Sequence, residues 1–201
     1  KELIDKKTLA NLKIKCIVLK HPTRKERMTY AEEMDYIVSR EFRNNFILDL
    51  CNTISGNTLC LFQLVEKHGK ILYDGMKGSE NVYFVYGGTD TEQREKIRGL
   101  VEGHTKSTTI ASYGTFSTGI NIRNINNIVL ASPSKSKIRV LQSIGRGLRT
   151  SSTKDSILIF DIADDISYGE RRNFTLNHFF ERINIYNEEQ FNYEISKVKI
   201  K

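Results

Sequence analysis

The chain has 201 residues, enough for one domain or one domain with an appended element. Its 39% hydrophobic and 27% charged residues suit a soluble globular protein. No apolar run approaches the roughly 20 residues that a membrane-spanning helix needs, so a membrane partner is not expected. The net charge of +7 and a pI near 9.3 instead favour polyanions as partners, with a merely soluble basic surface as the plain alternative.

The chain opens on KELIDKKTLA, which has no apolar stretch of the kind a secretory signal needs, and on Lys rather than Met. The expectation is a piece of a longer protein. Cys16, Cys51 and Cys60 show no CxxC or metal-like spacing. Buried reduced thiols fit that pattern best, which implies an intracellular, cytoplasmic setting.

Six short runs rich in Val, Ile, Leu and Phe read as strands: Ile14–Leu19, Thr58–Phe62, Val82–Tyr86, Thr108–Ser112, Asn127–Ala131 and Ser156–Phe160. None alternates cleanly between apolar and polar residues, as expected of strands buried on both faces. Helical signals fall between them. Thr29-Tyr-Ala-Glu32 is a capping-box pattern that opens a helical region running to about Ile54, and Thr89-Asp-Thr-Glu92 repeats it before a helix ending near Glu102. Gln63–Tyr73 and Lys137–Arg149 supply two more helices. Strands and helices in alternation predict an α/β fold with a mostly parallel central sheet. After Asp165 the chain becomes aromatic, and Leu176, Phe179, Phe180 and Ile183 follow helical spacing. Residues 1–165 therefore read as one domain and 166–201 as a C-terminal helical extension packed on it.

Ligands of such sheets bind at the carboxyl ends of the strands. The segments there are His21–Met28, Gln63, Gly87–Thr89, Tyr113–Asn121, Ser132–Ser136 and Asp161–Asp165, all polar, charged or glycine-rich. Between Ser132 and Lys154 lie Lys135, Lys137, Arg139, Arg146, Arg149 and Lys154 without one acid. A second basic cluster comprises Lys20, His21, Arg24, Lys25 and Arg27. In ASYGTFSTGIN (Ala111–Asn121), hydroxyls and two glycines suit phosphate or ribose contacts.

The stretch LQSIGRGLRT (Leu141–Thr150) keeps two glycines in a helical context, each destabilising by about 1 kcal/mol relative to Ala. On a helical wheel Gln142, Arg146 and Arg149 fall within about 60° of one another, opposite Val140, Leu141, Ile144 and Leu148. Gly145 and Gly147 flank that polar stripe and leave room for a ligand or another domain. Asp161, Asp164 and Asp165 read as helix capping or domain packing rather than as a metal site.

In this order the segments resemble superfamily 2 helicases and translocases. QSIGRGLR is similar to their motif VI and ASYGTFSTGIN to motif V. TLCLFQLVEKHGKILYDGM resembles the motif IV region, and VYFVYGGTDTEQR the strand and loop after it. ASYGTFSTGI, SKSKIRVLQSIGRGLR and the tail LNHFFERINIYNEEQFNY also resemble the UvsW-type recombination helicases of tailed phages. The resemblance implies a second RecA-like domain and an ATP-dependent DNA helicase acting on branched DNA. It implies Arg149 as arginine finger, Arg146 as a second phosphate contact and Gln142 as a group that positions the phosphate or attacking water. Gly119 and Asn121 would join the arginines around the nucleotide. Many relatives have Asp where Asn121 stands, so here the hydrogen bond remains but the charge does not. Gly88, Thr89, Ser112, Thr115, Lys135 and Lys137 are the expected DNA contacts, with the motif V hydroxyl open among Ser112, Tyr113 and Thr115.

No GxxxxGK[ST] loop and no acidic pair of the metal-binding kind occurs in the chain. In the family these belong to an N-terminal RecA-like domain, which implies that ATP and Mg²⁺ are held mainly there and that this chain completes half of the site. The implied partners are single-stranded and branched DNA and that N-terminal domain, in the cytoplasm of an infected bacterial host. Two other readings stand beside it: a basic nucleic-acid-binding RecA-like module without catalysis, and the motor half of a restriction or remodelling translocase.

Overall fold

Strands without alternation need cover on both faces, and the chain supplies it. A computed structural model describes residues 12–22, 26–117, 124–133 and 157–200. The elements are β1 (Leu12–Lys20), α1 (Tyr30–Ser39), α2 (Glu41–Thr53), β2 (Asn57–Phe62), a π-helical turn (Val65–Gly69) continuing into α3 (Lys70–Gly75), β3 (Val82–Val85) and α4 (Thr91–Gly103). They continue with β4 (Ser107–Ser112), α5 (Tyr113–Ser117), β5 (Asn127–Leu130), β6 (Ile157–Asp165), α6 (Phe174–Glu188) and β7 (Asn192–Lys199). The strands form one sheet in the order β3-β4-β2-β5-β6-β1-β7, with every pairing parallel.

Connections of one hand put helices on opposite faces when the chain changes direction across the sheet. From β1 through β2 to β3 the chain runs one way, and α2 and α3 bury Ile47, Cys51, Leu72 and Met76 on one face. From β3 onward it runs back, and α4 and α6 bury Ile97, Val101, Leu176, Phe179, Ile183 and Tyr186 on the other. All six residues of β2 and of β4 are buried. Gly69 is forced by this packing, since a Cβ there would lie 2.5 Å from the Phe62 ring. Cys16, Cys51 and Cys60 are all buried, and none of them forms a disulfide.

Several elements differ from the sequence expectation. The region expected as one helix to Ile54 breaks at Arg40, whose φ of −74° and ψ of 114° are extended. No Gly or Pro marks the break. It is fixed by Asn44, whose side-chain amide donates to the Val38 carbonyl at 2.9 Å, and by Arg43, which turns inward and is fully buried. The cap of α4 is Asp90, accepting from the Gln93 amide at 2.7 Å, rather than Thr89. Strand β6, expected to end at Phe160, extends to Asp165, so Asp161 and Asp164 are strand residues that serve packing rather than capping. The segment after Asp165 holds a strand as well as a helix: β7 pairs with β1 and completes the sheet. Phe180 faces outward on α6, beneath the Arg172 guanidinium at 4.2 Å, while Leu176, Phe179 and Ile183 are core.

Buried charges tie the layers together. Asp164 takes Arg43 Nε at 2.7 Å, Arg43 Nη2 at 2.9 Å and His21 Nε2 at 2.8 Å. Burial alone would raise its carboxyl. The Arg43 charge and these hydrogen bonds overturn that and hold it well below the ordinary carboxylate value. Asp161 takes Arg182 Nε at 2.8 Å, Arg182 Nη2 at 3.0 Å and the Tyr186 hydroxyl at 2.8 Å. Burial, and then the Asp161 charge, push the Tyr186 hydroxyl far above its usual value. His68, in the π-helical turn, has Nδ1 2.7 Å from Ser132 Oγ, and burial followed by the Arg43 charge lowers it to about 3.

Helix α6 is capped from a distance. The buried Glu33 carboxylate of α1 accepts from the Phe174 amide at 2.9 Å, the Thr175 amide at 2.6 Å and Asn173 Nδ2 at 2.8 Å. A carboxylate at a helix N-terminus satisfies free amides and complements the helix dipole.

Glu33→Gln keeps the shape but turns an NH₂ group toward amide donors. It should destabilise the chain by about 2 kcal/mol in urea unfolding, and a change below about 0.5 kcal/mol would show that the cap contributes little. The acid limb of stability should carry the His68 signature. Folded His68 stays neutral down to about pH 3, whereas the unfolded chain takes up that proton near pH 6.5. The contribution is therefore complete above pH 6.5 and is lost as pH falls toward 3, by up to about 1.4 kcal/mol per pH unit. Urea midpoints between pH 7 and pH 4.5 should fall less steeply in His68→Asn than in the wild type, and identical slopes would contradict the assignment.

Candidate nucleotide and nucleic-acid interface

The carboxyl ends of β3 and β4 are neighbours, with Val85 level with Ala111, so the two loops expected to meet nucleic acid emerge side by side. After β3, the turn Tyr86-Gly87-Gly88-Thr89 closes on itself. The Thr89 amide donates to the Tyr86 carbonyl and the Tyr86 amide to Thr89 Oγ1, both at 3.0 Å. Thr89 is buried, and a Cβ on Gly88 would come within 2.6 Å of the Tyr86 ring. Arg94 Nη2 reaches back to the Gly87 carbonyl at 3.1 Å. The turn is thus rigid, and its hydroxyl points inward.

The segment after β4 differs from the open loop expected at its start, because Tyr113–Ser117 forms the short helix α5. Ser112 acts as its local cap: Oγ accepts from the Thr115 amide at 3.3 Å and lies 2.7 Å from Thr115 Oγ1. Both residues are buried. Gly114, between them, is exposed, and a Cβ there would meet nothing within 4 Å. The hydroxyls of Ser112, Thr115 and Thr89 therefore shape these loops from within. Tyr113 is buried, and burial, with the Asp161 charge second, raises its hydroxyl well above the usual value.

The loops after β2 and β5 meet beside them. The Ser132 side chain takes the Gln63 amide at 3.1 Å as well as His68, and its carbonyl accepts the Tyr113 hydroxyl at 3.0 Å. Arg43 Nη2 donates to the Ala131 carbonyl at 2.7 Å. Sequence reasoning placed Tyr113 and Ser132 in the loops of this edge but missed Arg43 and His68. Arg43 sits in REFRNNF and His68 in EKHGK, within regions expected to be helical, and nothing local marks either side chain as one that turns inward. Of the expected site residues, Gly88, Thr89, Ser112 and Thr115 are brought together on adjacent loops. Gly119, Asn121, Lys135, Lys137, Gln142, Arg146 and Arg149 lie outside the described residues, as does the expected helix Lys137–Arg149.

The described carboxylates nearest this edge do not fit a divalent cation. Asp161 and Asp164 are each occupied by an arginine fork, and no cluster of metal-ligating side chains occurs among the described residues. Among the described residues no helix is long and apolar enough to cross a membrane.

Comparison with known proteins agrees with this architecture. The chain is 34% identical over 217 aligned residues to the ATP-dependent DNA helicase UvsW of Enterobacteria phage T4, a match that takes in 99% of this chain and 43% of that protein. The crystal structure of T4 UvsW superposes with a TM-score of 0.83 at 35% identity, over 94% of this chain and 42% of that one. The chain thus spans less than half the length of this relative. The C-terminal domain of the DEAD-box protein Dbp5 shares the fold, with a TM-score of 0.57 at 12% identity over 92% of this chain and 90% of that one. Residues 41–151 match the model of the helicase conserved C-terminal domain, more than half of the chain. With its parallel RecA-like sheet, this chain belongs to the helicase conserved C-terminal domain family.

Proposed function

We propose that this chain is the second motor domain of an ATP-dependent DNA helicase that remodels branched DNA, and that it contributes half of an ATP site shared with a first RecA-like domain. The observation that carries this reading is the order of segments along the carboxyl edge. The turn GGT follows β3, SYGTFSTGIN follows β4, and the segment holding QSIGRGLR joins β5 to β6 on a sheet of the helicase C-terminal kind. The likeness to T4 UvsW over nearly the whole chain supports DNA as the polymer.

Within this reading Arg149 neutralises charge that develops on the γ-phosphoryl group, a role worth about 10³–10⁵ in rate in related NTPases. Arg146 holds a second set of phosphate oxygens, and Gln142 orients the phosphate or the water. Gly119 and Asn121 approach the ribose. Two planar guanidinium forks can each engage two oxygens at once, which Lys cannot. Mg²⁺ belongs with the carboxylates of the first domain, since Asp161 and Asp164 here are already neutralised. Closure of the two domains on ATP brings the arginines to the phosphates, and hydrolysis releases them. The β3 and β4 loops, with Lys135 and Lys137, grip the DNA backbone and move relative to the first domain in each cycle.

Three measurements test this. The isolated chain should show no ATP turnover with or without DNA, and DNA-stimulated turnover by the pure chain would overturn the shared site. In the protein carrying both domains, Arg149→Ala should lower kcat by about 10³-fold or more with little change in ATP affinity or melting temperature. Arg149→Lys should be nearly as damaging, and wild-type rates in both variants would return the arginine stripe to a solvated face. Binding of the isolated chain to DNA should be indifferent to sequence and weaken steeply as salt rises, because phosphate contacts dominate. Salt-independent binding to one sequence would contradict it.

A further inference from the structure

Half of the large apolar side chains left exposed among the described residues gather at one corner of the molecule. Tyr30, Tyr168, Phe174 and Phe180 are four of eight, and all four are aromatic. Scattered exposed apolar residues are ordinary, whereas a cluster marks a contact surface. Tyr30 meets Phe174 edge to face at 6.2 Å, and the Arg172 guanidinium lies 4.2 Å over the Phe180 ring. Tyr168 and Phe174 line a cavity of about 630 Å³ together with Arg27, Arg171 and Arg172. It lies where β6 gives way to α6, beside the start of α1.

The backbone of this corner is fixed. Tyr168 and Arg171 exchange two hydrogen bonds, of 3.2 and 3.1 Å, across a turn in which Gly169 takes a φ of +56°. Asn173 Oδ1 accepts from the Ile166 amide and Asp165 Oδ1 from the Ser167 amide, both at 3.1 Å. The rings are therefore displayed from a set frame, which lowers the entropy that a ligand must remove. The first amides of α6 are not offered to a ligand, because Glu33 already takes them.

The lining says what the ligand is. Three arginines face Glu26, Glu33 and Glu170, but Glu33 is spent on α6, which leaves positive charge in excess. Lys20 and Lys199, register partners at the carboxyl ends of β1 and β7, are exposed on the same edge of the sheet. Flat ring faces beside guanidinium forks suit a polymer in which bases alternate with phosphates. An acidic peptide would use the arginines and leave the ring faces without a flat partner. By strand order, the corner stands three spacings from β4 at β6 and five from β3 at β1, about 14 and 24 Å. No side chain spans that distance, so the corner is separate from the loops after β3 and β4.

We propose that this corner is a stacking platform for a single strand of nucleic acid: bases lie on Tyr168 and Phe174, and the phosphates between them meet Arg27 and Arg171. Arg172 is held flat on Phe180 and extends the platform along α6. The proposal rests on nucleic acid as the polymer, as inferred above, and adds a second contact that reads unpaired bases rather than backbone alone. Branched DNA presents such unpaired bases where its strands separate.

The test uses the protein with both RecA-like domains and a labelled oligothymidylate of about 20 nucleotides, with binding read by fluorescence anisotropy. Tyr168→Ala should raise Kd about fivefold or more, and Tyr168→Phe, which keeps the ring, should bind like wild type. Arg171→Gln should weaken binding and reduce the salt slope by about one. A duplex of the same length hides its base faces, so Tyr168→Ala should leave its Kd within about twofold. With 5-iodouracil in the single strand, ultraviolet light should couple a base to Tyr168 or Phe174, located by mass spectrometry. Tyr168 is half exposed, so the alanine variant should melt within about 2 °C of wild type. Wild-type affinity of Tyr168→Ala for the single strand overturns the platform and leaves the motor reading standing. Equal losses on single strand and duplex overturn base stacking as the mode of contact. An earlier melt with unchanged Kd shows that another part of the protein covers the corner, and overturns the platform as well. Failure of the wild type to bind any nucleic acid overturns the polymer itself, and the platform with it.

Discussion

A carboxylate without solvent, Asp164 near the carboxyl end of β6, organises the carboxyl edge of the sheet. Taking an unpaired carboxylate out of water costs several kcal/mol, so the fold must bring it partners. Arg43 arrives from α2 with a two-pronged contact, His21 from the end of β1, and the same guanidinium continues to the carbonyl of Ala131 beyond β5. One charge thus sets the mutual position of α2, β1, β5 and β6. Replacing a single partner would leave the remaining charge buried and uncompensated, which is far more damaging than never having buried the pair.

Asp161 completes the scheme. It lies three residues before Asp164 in the same strand, and the alternation of side chains along a strand sends the two to opposite faces. Asp164 therefore meets α2 on one side of the sheet, and Asp161 meets Arg182 and Tyr186 of α6 on the other. The two acids, which the sequence assigns to capping or packing rather than to a metal site, are a pair of anchors, one for each helical layer. Glu33 adds a third, binding α1 to the start of α6 across the top of the sheet.

Much of this fold was legible in the sequence, for physical reasons. The central strands are apolar without alternation because they are covered on both faces, and each of the six runs chosen on that ground overlaps a strand, with Tyr86 and Ala131 just past their strand ends and Ser156 outside the described residues. β7 escaped because an edge strand with Glu194, Lys197 and Lys199 carries little of that signal. The break at Arg40 escaped because tertiary contacts of Arg43 and Asn44, not a local breaker, produce it. At the edge, the order of the loops was legible, but the use of their hydroxyls was not. Ser112, Thr115 and Thr89 look like groups offered to a ligand, yet each is consumed in closing its own turn. Residues such as His68 and Ser132 are ordinary polar letters whose burial only the assembled sheet reveals.

The position of β1 between β6 and β7 has a consequence for how the chain reaches this state. His21 and Asp164, which close that side of the sheet, are 143 residues apart in sequence. During synthesis β1 emerges long before either of its strand neighbours exists, so its apolar run must wait while β2, β3, β4 and β5 assemble. Closure of so long a loop comes late and slowly, since the chain entropy is lost before the contacts form. α6 and β7, made after the rest of this sheet, are also those that cover β1 and engage Asp161 and Glu33. Ribosome-bound chains that stop short of them would expose an unpaired strand and buried-charge sites together, and would be the forms most prone to aggregate.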